Sequence, residues 1–257
     1  MEDYLYIVYG DILSKMTLFI IGLGLSGTKD ITVKGLESIK KCNILYLENY
    51  TSQFHATKEE LETLYGKKIQ LADRAFTETQ TNKILQEAKE KNVAFLVIGA
   101  PFSATTHIEL FFAAKKRDIF VEVVENASVL TAIGITGLSL YKFGRTTTIP
   151  LQHEHITSPY EVILNNKKNK LHTLCLLDIQ GKKLMTAREG LDYLIRCGLN
   201  KDERVVGCGA LGSPDVEITV EKANDIHIKK FPQCLIIPGE LHFKEEEALE
   251  YYAHVKK

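Results

Sequence analysis

Short apolar runs recur along the chain, and most are followed by a segment with helical spacing. TLFIIG from Thr17, NILYLE from Asn43, KIQLA from Lys68, VAFLVIG from Val93 and IFVEVVEN from Ile119 each have strand length and a high share of β-branched or aromatic residues. Between them lie helical patterns: TVKGLESIKKC from Thr32, TKEELETLYG from Thr57 with Gly66 as its stop, TETQTNKILQEAKEKN with Thr77 or Thr79 near its start, and THIELFFAAKKRD. Parallel strands need crossover connections, and a helix is the usual one, so this alternation predicts a parallel sheet. VAFLVIG shows no polar alternation and is expected in the middle of that sheet, buried on both faces.

The pattern continues with ASVLTAIGITGLSLYKFG, read as a helix loosened by Gly134 and Gly137, and then TTTIPLQHEHITSP, whose β-branched residues and two prolines mark an edge strand or a connector. A second alternation follows: YEVILNNKKNK as helix, LHTLCLLDI as strand, TAREGLDYLIRC as helix, ERVVGCGAL and QCLIIPG as strands, and KEEEALEYYAHV as the last helix. The fold class expected is α/β, with two α/β domains in series, and 257 residues suffice for two cores. The expected division is an N-terminal extension over 1–15, a first domain over 16–145 and a second over 146–257.

Charge narrows the partners. A net charge of −1 supplies no basic field for nucleic acid, so a protein or small-molecule partner is expected. No apolar stretch approaches the ~20 residues that span a bilayer, and MEDYLYIVYGDILSK lacks the basic start and apolar centre of a secretory signal. The five cysteines form no C-x-x-C pair, which points to reduced, mostly buried thiols in a cytoplasmic protein and to no zinc site.

Gly22, Gly24 and Gly27 spell G-L-G-L-S-G after the first strand, and Glu48 follows about twenty residues on, so the dinucleotide fingerprint is formally met. In that fingerprint the helix begins inside the glycine loop and its first amides cradle a pyrophosphate. Here TKDIT intervenes, and Asp30 or Thr32 is the natural N-cap, which draws the helix start away from the loop. NAD binding is therefore the weaker alternative, beside a reading in which the glycines serve only a tight turn.

FIIGLGL with DITVKGLESIKKC, LYLENYTS, GAPFSATTHIEL, VEVVENASVLTAIGITGLSLYKFG, LHTLCLLDI, MTAREGLDYL and PGELHF, in this order from Met16 nearly to the C-terminus, together resemble the tetrapyrrole methylase family, and within it the diphthine synthase branch. The resemblance implies a homodimer with S-adenosylmethionine folded in a cleft between the two domains, held largely by backbone groups. The positions it implies for that cofactor are Leu25, Ala100, Ser103, Ser128, Val129, Leu177, Leu211 and Gln233. It implies as substrate the aminocarboxypropyl-modified histidine of translation elongation factor 2, on the route to diphthamide. Where the family pattern has aspartate, arginine and histidine, this chain has Ala100, Ala210 and Gln233, which leaves open a weakened member that binds the elongation factor.

No residue announces itself as a general base, so the catalytic position is left unassigned. His107 and His172 are candidates by location, with packed, hydrogen-bonded roles as the commoner explanation. His153 and His155 around Glu154 supply too few convergent ligands for a metal. Asp178 after LLD's strand is read as either a turn cap or a substrate contact.

Overall fold

The computed structural model describes residues 16–50, 52–181 and 183–254, apart from the side chains of Glu78 and Thr79. The extension expected over 1–15 lies outside the described residues. The chain divides into two compact units, the first ending at Ala127 and the second beginning at Ser128.

In the first unit, β1 (Thr17–Gly22), α1 (Val33–Lys41), β2 (Ile44–Glu48), α2 (Lys58–Tyr65), β3 (Ile69–Ala72), α3 (Arg74–Thr79), α4 (Thr81–Glu90), β4 (Val93–Val97), α5 (Ile108–Lys115) and β5 (Phe120–Val124) follow one another. The strands form one parallel sheet in the order β3-β2-β4-β1-β5. VAFLV thus sits at the centre, buried at every position, as its unbroken apolar character predicts. Ile39 of α1 with Leu61 and Tyr65 of α2 covers one face, over Phe19, Ile21, Leu45 and Leu96. Ile84 and Leu85 of α4 with Leu110 and Ala114 of α5 cover the other, over Leu18, Ile20 and Phe95. The chain leaves β1 toward one edge of the sheet and β4 toward the other, so the adjacent carboxyl ends of these two strands form a topological switch point, where such sheets bind ligands.

The single helix expected from TETQTNKILQEAKEKN is two. Gln80 leaves helical geometry between α3 and α4, and Asp73, rather than Thr77, caps α3 by accepting the Phe76 amide at 2.7 Å.

The second unit runs α6 (Val129–Ala132), β6 (Thr147–Ile149), α7 (Ser158–Lys168), β7 (Thr173–Leu177), β8 (Ile179–Gln180), β9 (Lys183–Leu184), α8 (Ala187–Cys197), β10 (Arg204–Gly209), β11 (Glu217–Lys222), β12 (Gln233–Ile237) and α9 (Phe243–His254). Its main sheet has the order β11-β10-β12-β7-β6, with β6 parallel to β7 and the other pairs antiparallel. β6 is an edge strand, one of the two readings, edge strand or connector, that its prolines left open. β11 was not anticipated: only Val220 in it is fully buried, so its apolar signal is that of a second, exposed edge. Helices α7 and α8 cover one face through Ile163, Leu191 and Leu194, and α9 covers the other through Leu249.

The long helix expected from ASVLTAIGITGLSLYKFG is only one turn of α6 followed by 3-10 turns at Ile133–Thr136 and Leu140–Lys142. Gly137 takes a left-handed φ of 82°, and Thr136 Oγ1 donates back to the Ile133 carbonyl, two local choices that end a helix. Ile133 and Leu138 join Leu174, Ile236 and Leu249 in the second unit's core. The second compact unit begins at Ser128, just ahead of this segment.

Candidate functional site

At the carboxyl ends of β1 and β4 the two loops are tied together. Gly24 and Gly99 exchange backbone hydrogen bonds, the Gly99 amide donating to the Gly24 carbonyl at 2.8 Å and the Gly24 amide to the Gly99 carbonyl at 3.2 Å. Asn126, just past β5, donates from Nδ2 to the carbonyls of Gly22 and Asp30 at 2.9 and 3.0 Å. The approach is close enough that a Cβ on Gly22 would lie 2.6 Å from the Gly99 carbonyl oxygen. Leu25, Ala100 and Ser103 are thereby brought to one edge of the sheet, Leu25 and Ser103 half-buried and Ala100 buried.

The glycine loop does not present an anion cradle. Asp30 Oδ2 accepts the backbone amides of Ser26 at 2.6 Å and Gly27 at 3.2 Å, so a carboxylate of the chain itself occupies the place a phosphate would take. The helix proper starts beyond it, where Thr32 caps α1 by accepting the Gly35 amide at 3.0 Å. Both candidate caps are used, one for the loop and one for the helix, and the dinucleotide reading loses its physical basis. A phosphate-free, cationic ligand such as a sulfonium meets no conflict here.

Beside this edge lies a buried polar group. Glu48, at the end of β2, is fully buried and accepts the Ile98 amide at 3.1 Å and the Tyr50 amide at 3.3 Å. Tyr50 Oη and His107 Nε2 are 3.2 Å apart, with the His107 ring set edge-on to Phe95. Burial is the main influence on the His107 imidazole and pulls it below its ordinary value, while the Glu48 charge and the Pro101 carbonyl oppose that shift. The Pro101 carbonyl stops short of hydrogen-bond geometry, since buried His107 Nδ1 completes no bond. Sequence reasoning placed His107 near the site but missed Glu48 and Tyr50 as its neighbours.

In the second unit, Ser128 caps α6 by accepting the Leu130 amide at 3.2 Å, and Val129 packs against the cluster that holds Leu211. The pairing of Cys234 with Leu176 brings Gln233 level with Leu177, and Gly209 pairs with Gln233, so Leu177, Gln233 and the turn holding Leu211 share one sheet edge. Gln233 bonds locally: Oε1 accepts the first amide of α8, from Ala187, at 2.7 Å, and Nε2 donates to the Ile228 carbonyl at 3.0 Å. Its side chain caps α8 with one acceptor position and ties down the Ile228 carbonyl with one of its two N–H groups. Ala210 is buried in a left-handed turn with φ of 49°, its amide donating to the Pro232 carbonyl.

The remaining candidates are held by local contacts. Asp178 accepts the amides of Leu151 and Ile179 at 3.0 and 2.8 Å and so caps two turns. His172 and Glu245 are buried together. The Gly239 amide donates to His172 Nδ1 at 2.9 Å, and His172 Nε2 lies 3.3 Å from Glu245 Oε1. His153 meets Arg196 at 2.5 Å and the Pro150 and Leu151 carbonyls, and among the described residues no group of three or more ligands could hold a metal. All five cysteines are free thiols, four of them buried.

A model of the tetrapyrrole (corrin/porphyrin) methylases matches residues 17–227. The diphthine synthase of Methanococcus aeolicus is 42% identical over 249 residues, spanning 91% of this chain and 97% of that protein. The diphthine methyl ester synthase of Dictyostelium discoideum is 38% identical and spans 94% of this chain and all of that one. A crystal structure of a diphthine synthase superposes with a TM-score of 0.86 at 32% identity, covering 92% of this chain and 96% of the other.

Proposed function

The chain belongs to the tetrapyrrole (corrin/porphyrin) methylase family, and from that membership we propose that it is an S-adenosylmethionine-dependent methyltransferase of the diphthine synthase type, acting on the aminocarboxypropyl-modified histidine of translation elongation factor 2. The observation that carries this reading is identity above 40% sustained across nearly the whole of the chain and of its relative, through both units. A fold alone would not support it, because one fold serves many chemistries.

The residues proposed to hold the donor are Leu25, Ala100 and Ser103 from the first unit and Ser128, Val129, Leu177, Leu211 and Gln233 from the second. The Asp30 carboxylate over the glycine loop supports a donor without phosphates. When bound, S-adenosylmethionine supplies a methyl group on a sulfonium, already an effective leaving group, to a nucleophile held in line with it. The chain's own task is then to align the substrate amine and exclude water. Ala100 and Ala210 offer the donor no polar side chain, so contacts at those two positions fall to the backbone, while Gln233 uses part of its amide to cap α8.

The compartment proposed is the cytoplasm, supported by five free thiols and by the absence, among the described residues, of a helix long and apolar enough to cross a membrane. A homodimer is proposed, and exposed Ile108, Phe112 and Phe120, on α5 and the edge strand β5, are the kind of surface that a second copy would cover. Nucleic acid has no part in the proposal. The test is incubation with labelled S-adenosylmethionine and elongation factor 2 bearing the aminocarboxypropyl histidine. Label should enter the factor, and its lability to base should separate a methyl ester from methylated amine. No transfer from a folded preparation would refute the proposed function.

A further inference from the structure

In the second unit the loop after β6 and the end of α8 enclose a cavity of about 570 Å³, with His153, His155, Tyr193 and Arg196 among its lining. The cavity is distant from the proposed donor position at Gln233. Gln233 meets α8 at its first residue, Ala187, whereas Arg196 stands in the last turn, roughly 13 Å along the axis at the α-helical rise. The methyl transfer proposed above gives this cavity no part.

Two side chains set its chemistry. His153 Nδ1 lies 3.0 Å from the Pro150 carbonyl and 3.1 Å from the Leu151 carbonyl. A carbonyl only accepts, so Nδ1 carries the proton and Nε2 keeps a lone pair. Arg196 donates to that lone pair at 2.5 Å. The ring is therefore held as the neutral Nδ1–H tautomer with a guanidinium against it. Among the described residues Arg188 and Arg204 pair with carboxylates, whereas Arg196 pairs with none. An arginine in the last turn offsets the helix dipole from any rotamer. Turned onto a neutral ring, this one gains a hydrogen bond and no counter-charge.

Other groups complete the surroundings of His153. On α8, buried Tyr193 sets its ring edge-on to the imidazole and donates its hydroxyl to the Ile156 carbonyl at 2.8 Å, which makes it a fixed wall. The Glu189 carboxylate, from the first turn of α8, is close enough to act on His153 through charge. On the loop itself the titratable neighbours are Glu154 and His155, both exposed. His155 holds a left-handed φ of 65°, a conformation that residues with a side chain seldom take and that gathers at ligand sites.

We propose that this cavity is a second binding site, for a small organic molecule that presents an oxyanion, with Arg196 and His153 as its anchors. The anion accepts from the guanidinium in place of the imidazole. His153 then takes a proton from solvent on Nε2 and donates to the same anion, so that two cations which would repel each other side by side are joined by the charge between them. Binding therefore tightens as pH falls through the range in which imidazoles titrate. The volume exceeds that of a bare ion and falls in the range of sites for small organic ligands.

The test uses the whole protein and two probes, sulfate and acetate, both of which stay ionised between about pH 6 and 8. Followed by histidine NMR, the His153 ring signals should shift saturably with at least one probe, and the exposed His227 and His254 should not follow. Sulfate as the tighter probe assigns a tetrahedral head group to the ligand, and acetate as the tighter assigns a carboxylate. Affinity should fall by up to about tenfold per pH unit as the ring loses its proton. Folded Arg196→Gln should bind at least about tenfold more weakly, and His153→Asn should bind with no pH dependence. A His153 signal that moves only in step with His227 and His254, or an affinity that Arg196→Gln leaves at the wild-type level, means an adventitious ion only and overturns the site. Wild-type affinity that does not change with pH overturns it as well. The labelling of elongation factor 2 tests the methyltransferase reading separately from all of these.

Discussion

Asp30 shows how much one side chain can decide. Its carboxylate accepts two loop amides, and its backbone carbonyl accepts Asn126, so it joins the loops after β1 and β5. Replacing Asp30 with alanine strands these amides and is expected to destabilise the protein by about 1–3 kcal/mol, read as a lower urea midpoint with an unchanged slope. A midpoint equal to wild type would show that water satisfies the amides instead. The sequence offered Asp30 and Thr32 as rival helix caps, and the spacing rule had no means to assign one to the loop. Glu48 was visible only as the acid of a motif that proved not to apply. Its link to Tyr50 and His107 joins positions 48 and 107, a pairing that no local pattern contains.

Among the elements, α9 is fixed by a polar anchor as well as by its apolar face. Glu245 at its first turn accepts the Ser139 amide at 3.0 Å, the His242 amide at 2.8 Å and the Lys142 ammonium at 2.5 Å, beside His172. Burial disfavours the charge of Glu245, yet these donors together hold its carboxyl well below the usual range. Burial holds His172 below its ordinary value, against the pull of Glu245. A base whose folded pKa is lowered binds fewer protons than in the unfolded chain, so its contribution is complete above the ordinary imidazole value of about 6.5 and is lost as pH falls through it. Denaturation midpoints should therefore decline below pH of about 6.5. In His172→Asn, whose side-chain oxygen can still accept the Gly239 amide, that decline should be shallower. Identical pH profiles for the two proteins would count against the anchor. Helices with a clear cap and stop, such as α2 between Thr57 and Gly66, were legible from sequence. The stretch after Ser128 was not, because its apolar spacing is helical while Thr136 and Gly137 break the ladder locally.

For the whole molecule, the apolar strand runs gave the parallel sheet of the first unit and its central strand. They did not give the antiparallel pairing of the second, since a run of apolar residues carries no strand direction. Where one unit gives way to the next depends on which core Ile133 and Leu138 enter, a fact of three dimensions. If both units serve one methyl donor, S-adenosylhomocysteine at a hundred times its dissociation constant should add about 2.7 kcal/mol to the stability of the whole chain. Calorimetry should show this as a higher melting temperature, whereas NAD at the same concentration should leave the melting temperature unchanged. A shift with NAD alone would reverse the assignment. Cells are crowded with adenosine compounds, and most of those in high supply carry phosphate chains that share the purine and ribose of a methyl donor. If the glycine loop lines the donor site, a carboxylate of its own on the loop amides would repel that crowd by charge, and discrimination against nucleotides would lie in the first turn of the fold, ahead of any chemistry.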